Sequence, residues 1–169
     1  MTDWNSPTMT AANAPSPYVV SASSESTLAT YKAWKAFDGN SGTFWNAPTA
    51  PPNVWIMLDC GVDSNYVAKA CAIKNYAKLG LKDFKVQGSN NGSDWTDLLS
   101  DTAANNTTVQ NFSFSGNSTV YRYYRILCIT GHYSDELDVY EISFSGIEEG
   151  GEPESNLVIN YHYSQKMMG

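Results

Sequence analysis

Lys35-Ala36-Phe37-Asp38-Gly39-Asn40-Ser41-Gly42-Thr43-Phe44-Trp45 packs a hard-cation ligand set, two glycines and aromatic anchors into eleven residues. Asp38 offers a carboxylate, and Asn40 and Thr43 offer side-chain or carbonyl oxygens. Gly39 and Gly42 permit the positive φ that lets several oxygens converge on one centre. A ligand set of oxygens alone favours calcium. Asp38, Asn40 and Gly42 imitate the opening of an EF-hand loop, but its sixth position needs Gly where Thr43 stands and its twelfth needs Glu where Thr49 stands. An ordinary polar Asp-Gly turn uses the same letters. The rest of the chain decides between turn and metal loop.

Downstream come Val86-Gln87-Gly88-Ser89-Asn90-Asn91-Gly92-Ser93-Asp94-Trp95, then Tyr121-Arg122-Tyr123-Tyr124-Arg125-Ile126, and finally Val139-Tyr140-Glu141-Ile142. With the opening loop they follow the order A-x-D-G-x-x-x-T-x-W, V-x-G-S-N-D-G-x-x-W, Y-x-R and E-I. In that order the chain resembles the discoidin, or coagulation-factor C-type, domain, a galactose-binding-like β-sandwich also found in galactose oxidase and in many bacterial carbohydrate-binding modules. The resemblance spans 17–146 and implies an all-β, eight-stranded antiparallel jelly-roll sandwich. It further implies a structural calcium held by side-chain oxygens of Asp38, Thr43 and Glu141 and by main-chain carbonyls of Lys35, Asn40, Thr43 and Tyr140.

Length and composition agree. A chain of 169 residues suits one domain with a sizeable core, and 13% aromatic with 16% charged residues suits a folded, β-rich protein. The net charge of −7 and the scatter of the ten Lys and Arg leave no basic face, so nucleic acid is not an expected partner. Cys60, Cys71 and Cys128 lie in apolar runs and read as small buried side chains rather than a disulfide frame.

Along the chain, residues 1–16 read as a polar tether without the apolar segment of a secretory signal or membrane helix. Strand-like runs occur at Tyr18-Val19-Val20, 54–58, 70–73, 84–88, 95–98, 111–115, 121–130 and 139–144, with Asn91-Gly92 turning a hairpin. Residues 46–53, with three prolines, read as a surface loop. Residues 147–156 form an acidic, breaker-rich linker, and 157–169 a strand-like tail that pairs with another chain or packs back on the sheet. Trp34, Trp45, Trp55 and Trp95 sit in or beside these strands and are expected in the core.

No G-x-S-x-G elbow, H-E-x-x-H pair or phosphate-binding glycine loop occurs, and Asp135, Glu136 and Asp138 fall in one short segment rather than flanking a cleft. A non-enzyme is expected. In carbohydrate-binding members of the resembled family the ligand loops lie near the calcium loop, which here implies 46–53, 76–81 and 131–138. The candidates are Asn46, Tyr76, Lys78, His132 and Tyr133, which offer an aromatic face and polar partners for a cell-surface glycan. Leu79 and Leu81 are the only aliphatic tips of these loops, and the acidic charge opposes anionic lipids, so membrane binding is not expected. An extracellular type of domain without an export signal, carrying reduced cysteines, points to a phage virion. The expectation is a multimeric tail or capsid-surface adhesin that meets other virion proteins through its two tails. A purely structural virion protein is the alternative.

Overall fold

The computed structural model describes residues 1–49, 51–133 and 135–150. The tail at 157–169 and most of the acidic linker lie outside them. Ten strands run in chain order as β1 (Thr2–Asn5), β2 (Val19–Ala22), β3 (Trp45–Ala47), β4 (Val54–Asp59), β5 (Tyr66–Asn75), β6 (Asp83–Ser89), β7 (Thr96–Thr102), β8 (Val109–Ser113), β9 (Tyr123–Cys128) and β10 (Leu137–Glu148). They form two antiparallel sheets. One has the order β1-β10-β5-β8, with β3 also paired to β10, and the other the order β2-β4-β9-β6-β7. The all-β sandwich is as expected. The two strands beyond the expected eight are β1, which is polar apart from Trp4, and β3, which is only three residues long.

Alternation builds the core between the sheets. In β4, Val54, Ile56 and Leu58 are buried while Trp55 and Met57 are not, and β9 buries Tyr124, Ile126 and Cys128 in the same way. From the other sheet come Val67, Cys71 and Ile73 of β5 and Ile142 and Phe144 of β10. Each large apolar side chain so removed from water contributes roughly 1.5–3 kcal/mol before entropy is counted. β10 is irregular at two places against β5, and the second falls at Gly146, where a Cβ would lie 2.0 Å from the Val67 carbonyl oxygen. Only glycine lets the two backbones approach so closely there.

Tyr124 joins the layers. Its buried hydroxyl donates to the Tyr66 carbonyl at 2.8 Å and accepts from the backbone N–H of Ala68 at 3.1 Å and of Tyr121 at 3.3 Å. Tyr124→Phe is therefore expected to strand three backbone groups and to cost about 2–3 kcal/mol in a denaturation curve. A loss below about 0.5 kcal/mol would show that water replaces the hydroxyl.

Several expectations need correction. Residues 1–16 are not a free tether, because Thr2–Asn5 pairs with 145–148 and Trp4 is buried, stacked on Tyr66 at 4.8 Å. The sandwich thus runs beyond 17–146 at both ends, and Glu148 belongs to β10 rather than to a linker. Asn46 lies in a strand, not a loop. The hairpin after β6 turns through six residues, with Gly92 at φ 75° and the Asn91 side chain accepting from the N–H groups of Ser93 and Asp94. Trp45 is buried and Trp34 packs against the core, but Trp55 and Trp95 do not, because the two-residue period of the sheet turns Trp55 outward and Trp95 stacks beneath an arginine.

Candidate metal loop and ligand-binding end

Two short 3-10 turns, Ala29–Tyr31 and Ala33–Phe37, deliver the chain to Asp38, and the buried Ala33, Ala36 and Phe37 hold that limb to the core. Gly39 follows at φ 67°; Gly42 does not share that conformation, so a single glycine shapes the loop. Asp38 Oδ1 accepts from the Asn40 N–H at 2.9 Å and Asn40 Oδ1 from the Gly42 N–H at 3.0 Å, two successive side-chain turns. The Thr43 hydroxyl has one proton to give, yet it lies 2.9 and 2.8 Å from the two Asp38 oxygens and 2.9 Å from the Asn40 carbonyl oxygen.

Glu141 comes to this loop from β10. Its Oε2 accepts from the Gly39 N–H at 3.3 Å, while Oε1 is buried without a partner among the described residues. Burial first, and then the Asp38 carboxylate, push the Glu141 carboxyl up to about 7. Lys35 Nζ lies 3.2 Å from Asp38 Oδ2 and 4.1 Å over the Trp34 ring, and Lys74 acts on Glu141 from β5. Acceptors therefore outnumber donors, and one of them is orphaned and buried. That fits a hard cation. Among the described residues no group of three or more His, Cys, Asp and Glu side chains is placed to hold a metal; Asp38 and Glu141 are two carboxylates beside neutral oxygens, a set that suits calcium better than zinc. The structure thus brings Asp38, Asn40, Thr43 and Glu141 together. Lys35 also sets its amine beside Asp38, and the Tyr140 ring joins an aromatic cluster.

That cluster includes Tyr76. It stacks on Tyr140 at 5.0 Å and leans on Phe44 at 5.1 Å, and Phe44 stacks on Tyr31 at 4.5 Å. Tyr76 is thus a member of a half-buried four-ring group, not a lone platform. Asn46 donates its amide to Asp138 at 2.7 Å and to Glu136 at 3.1 Å. Burial, with Glu136 beside it, raises Asp138 to about 6. Lys78 is exposed at φ 73°, its backbone N–H donating to Asn105 Oδ1 at 2.9 Å.

The three expected loops do converge. His132 N–H donates to the Gly80 carbonyl, Leu81 bridges Gly131, and Asp138 N–H donates to the Leu79 carbonyl. His132 Nε2 lies 2.9 Å from the Ala103 carbonyl, which makes that nitrogen a donor. Tyr133 is 47% exposed and with Pro51, Pro52, Thr130 and His132 lines an open groove of about 560 Å³. Sequence reasoning named the loop 46–53 without singling out Pro51 and Pro52, and it missed Glu136 and Asp138 as partners of Asn46 and the rings around Tyr76. The proline pair was the one available signal, since it cannot enter a ladder and had to stand at a loop.

Residues 19–142 match the F5/8 type C domain. The chain belongs to that family. No curated protein matches it in sequence. Among solved structures it is similar to the family 32 CBM of C. perfringens NanJ in complex with galactose, at 21% identity, TM-score 0.64, covering 76% of this chain and 93% of that one. It is also similar to a chitosan-binding module from a Paenibacillus chitosanase/glucanase, at 20% identity, TM-score 0.65, covering 77% and 95%. A third is an F5/8 type C domain from Bacteroides fragilis, at 19% identity, TM-score 0.66, covering 79% and 93%. These likenesses establish the sandwich. In this F5/8 type C domain the acceptor-rich loop leads into β3, and the segment that gives Pro51 and Pro52 to the groove follows it. No helix among the described residues is long and apolar enough to cross a membrane.

Proposed function

We propose that this F5/8 type C domain is a non-catalytic glycan-binding module whose ligand lies at the loop end, beside a structural calcium held by Asp38, Asn40, Thr43 and Glu141. The observation that carries the reading is the groove of about 560 Å³ rimmed by the exposed Tyr133 ring and formed by connections that the sandwich locks together. An exposed ring takes the C–H face of a sugar, and fixed polar groups sort its hydroxyls. The groove's lining at Pro51, Pro52, Thr130, His132 and Tyr133 carries no carboxylate, lysine or arginine, which suits a neutral sugar. Solved relatives described as bound to galactose or as chitosan-binding support a glycan ligand.

On a glycan array the protein is expected to retain neutral glycans. Tyr133→Ala should weaken the best of them at least about tenfold, with the melting temperature unchanged. Undiminished binding would move the site elsewhere.

The phage virion surface, with multimeric display, belongs to the same proposal. Its support is the chemistry of Cys60, Cys71 and Cys128, all free and buried, their thiols pushed up to about 12 by burial. Such thiols suit folding in a reducing cytoplasm. Absence of the protein from purified particles would overturn that part.

A further inference from the structure

The groove at Tyr133 spends most of its hydrogen-bond donors on the protein itself. Pro51 and Pro52 carry no backbone N–H. The N–H groups of Ile129 and Thr130 both go to the Asp83 carbonyl, at 2.8 and 3.1 Å, and that of His132 goes to the Gly80 carbonyl at 2.9 Å. The Thr130 hydroxyl donates to Asp83 Oδ2 and accepts from the Asp83 N–H at 3.2 Å, and the Thr130 carbonyl takes the Lys82 N–H and the Cys128 thiol. Among the described residues, the polar atoms that the lining side chains leave unpaired are the second ring nitrogen of His132 and the Tyr133 hydroxyl.

The structure decides the chemical character of that nitrogen. His132 Nε2 lies 2.9 Å from the Ala103 carbonyl oxygen, which can only accept, so in the neutral ring the proton stands on Nε2 and Nδ1 is an acceptor. Both ends of the residue are tied down. Its backbone N–H is held by Gly80, and the buried Ala103 is itself fixed by donating its N–H to the Lys82 carbonyl at 2.9 Å. The Tyr133 hydroxyl, by contrast, rotates and can give or take a proton. A ligand seated on the Tyr133 ring therefore meets one fixed acceptor and one adaptable hydroxyl, and no fixed side-chain donor.

We propose that the groove selects unsubstituted hexoses over N-acetylated sugars, with His132 Nδ1 accepting the proton of a ring hydroxyl on the sugar that lies against Tyr133. The inference rests on the reading of this groove as the glycan site. A ring hydroxyl satisfies Nδ1 and strands nothing, and a side chain already fixed by Ala103 loses little freedom on binding. An acetamido carbonyl needs a donor, which the lining side chains offer only through the Tyr133 hydroxyl. A carbonyl drawn out of water without its donor costs affinity, and that cost is the source of selectivity. His132 is then the residue that reads the sugar, and Tyr133 the surface that carries it.

Native affinity electrophoresis in gels containing galactan, mannan or β-glucan, against gels containing glycol chitin, tests the proposal. At least one hexose polymer should retard the wild-type protein at least about tenfold more strongly than glycol chitin, a comparison that needs no variant to fold. Two substitutions separate recognition from anchoring. The amide of His132→Gln reaches the Ala103 carbonyl as Nε2 does but puts no acceptor at the place of Nδ1, whereas the shorter amide of His132→Asn sets its oxygen at that place and gives up Ala103. Retardation by the hexose polymer should fall at least about tenfold in His132→Gln and survive in large part in His132→Asn, with melting curves establishing that both are folded. Equal retardation of the wild type by glycol chitin, no retardation by any hexose polymer, or full retardation of His132→Gln overturns the proposal. If Tyr133→Ala still abolishes binding in that last case, the groove remains the glycan site and only the role of His132 falls; if Tyr133→Ala binds undiminished, the reading of the groove falls with it.

Discussion

Calcium added to the metal-free protein is expected to raise its melting temperature by roughly 5–10 °C once the free ion exceeds its Kd by about 100-fold, a binding contribution of about 2.7 kcal/mol. Asp38→Ala should abolish the rise, because it removes the carboxylate that faces Glu141 and the Thr43 hydroxyl. Calorimetry with and without chelator reads both effects. A melting curve indifferent to chelator in a calcium-loaded sample would refute the site.

The same carboxylates set a pH dependence. In the metal-free protein Glu141 titrates at about 7, above its ordinary 4.5, so between those values the folded state holds a proton that the unfolded chain has released. Stability then falls as pH rises through that window. The penalty is absent below about 4.5 and complete above about 7, on the order of 2 kcal/mol once solvent screening of a half-exposed carboxylate is allowed for. Calcium requires the ionised form, so its affinity should weaken as pH drops below about 7 and the chelator-sensitive part of the melting temperature should shrink with it.

Trp4→Ala is the second large effect, expected to cost about 3–5 kcal/mol and to lower the melting temperature by roughly 10 °C. Trp4 is 5% exposed, stacks on Tyr66 and leans on Tyr124, so its loss opens a cavity between β1 and the core. Its indole N–H is buried without a described partner, which means the loss is one of packing rather than hydrogen bonding. Trp4→Phe should therefore recover most of the stability, within about 1.5 kcal/mol. Near-wild-type melting of Trp4→Ala would mean that the first strand is dispensable.

Sequence reasoning reached the sandwich, the turn at Asp38 and Gly39 and the convergence of the later loops, because each rests on local signals: Asp and Gly at a turn, alternation in β6, apolar runs in β4 and β5. It failed where a residue's fate is settled by a distant partner. Thr2-Asp3-Trp4-Asn5 has one apolar residue and no period, and only its pairing with 145–148 makes it a strand. Val54-Trp55-Ile56-Met57-Leu58 is apolar throughout, so no alternation tells which side is inward, and its place in a strand alone puts Trp55 in the core. Tyr76 was legible as an aromatic in a loop, but not as the neighbour of Tyr140, since that contact joins β10 to a connection more than sixty positions earlier. The acid partners of Asn46 were visible as an acidic segment and unassignable until β3 paired with β10.

Because Thr2 lies directly opposite Glu148, the outermost pair of the β1–β10 ladder joins the first and last strands of the sandwich at one point. Tension applied there would load the ladder rung by rung, as in the opening of a zip, rather than shearing all its hydrogen bonds at once. β1 would peel first and carry Trp4 out of the core, while the loops of the opposite end stayed clamped by the pairing of β3, β5 and β10. An attached ligand would thus be held by the part of the molecule that yields last.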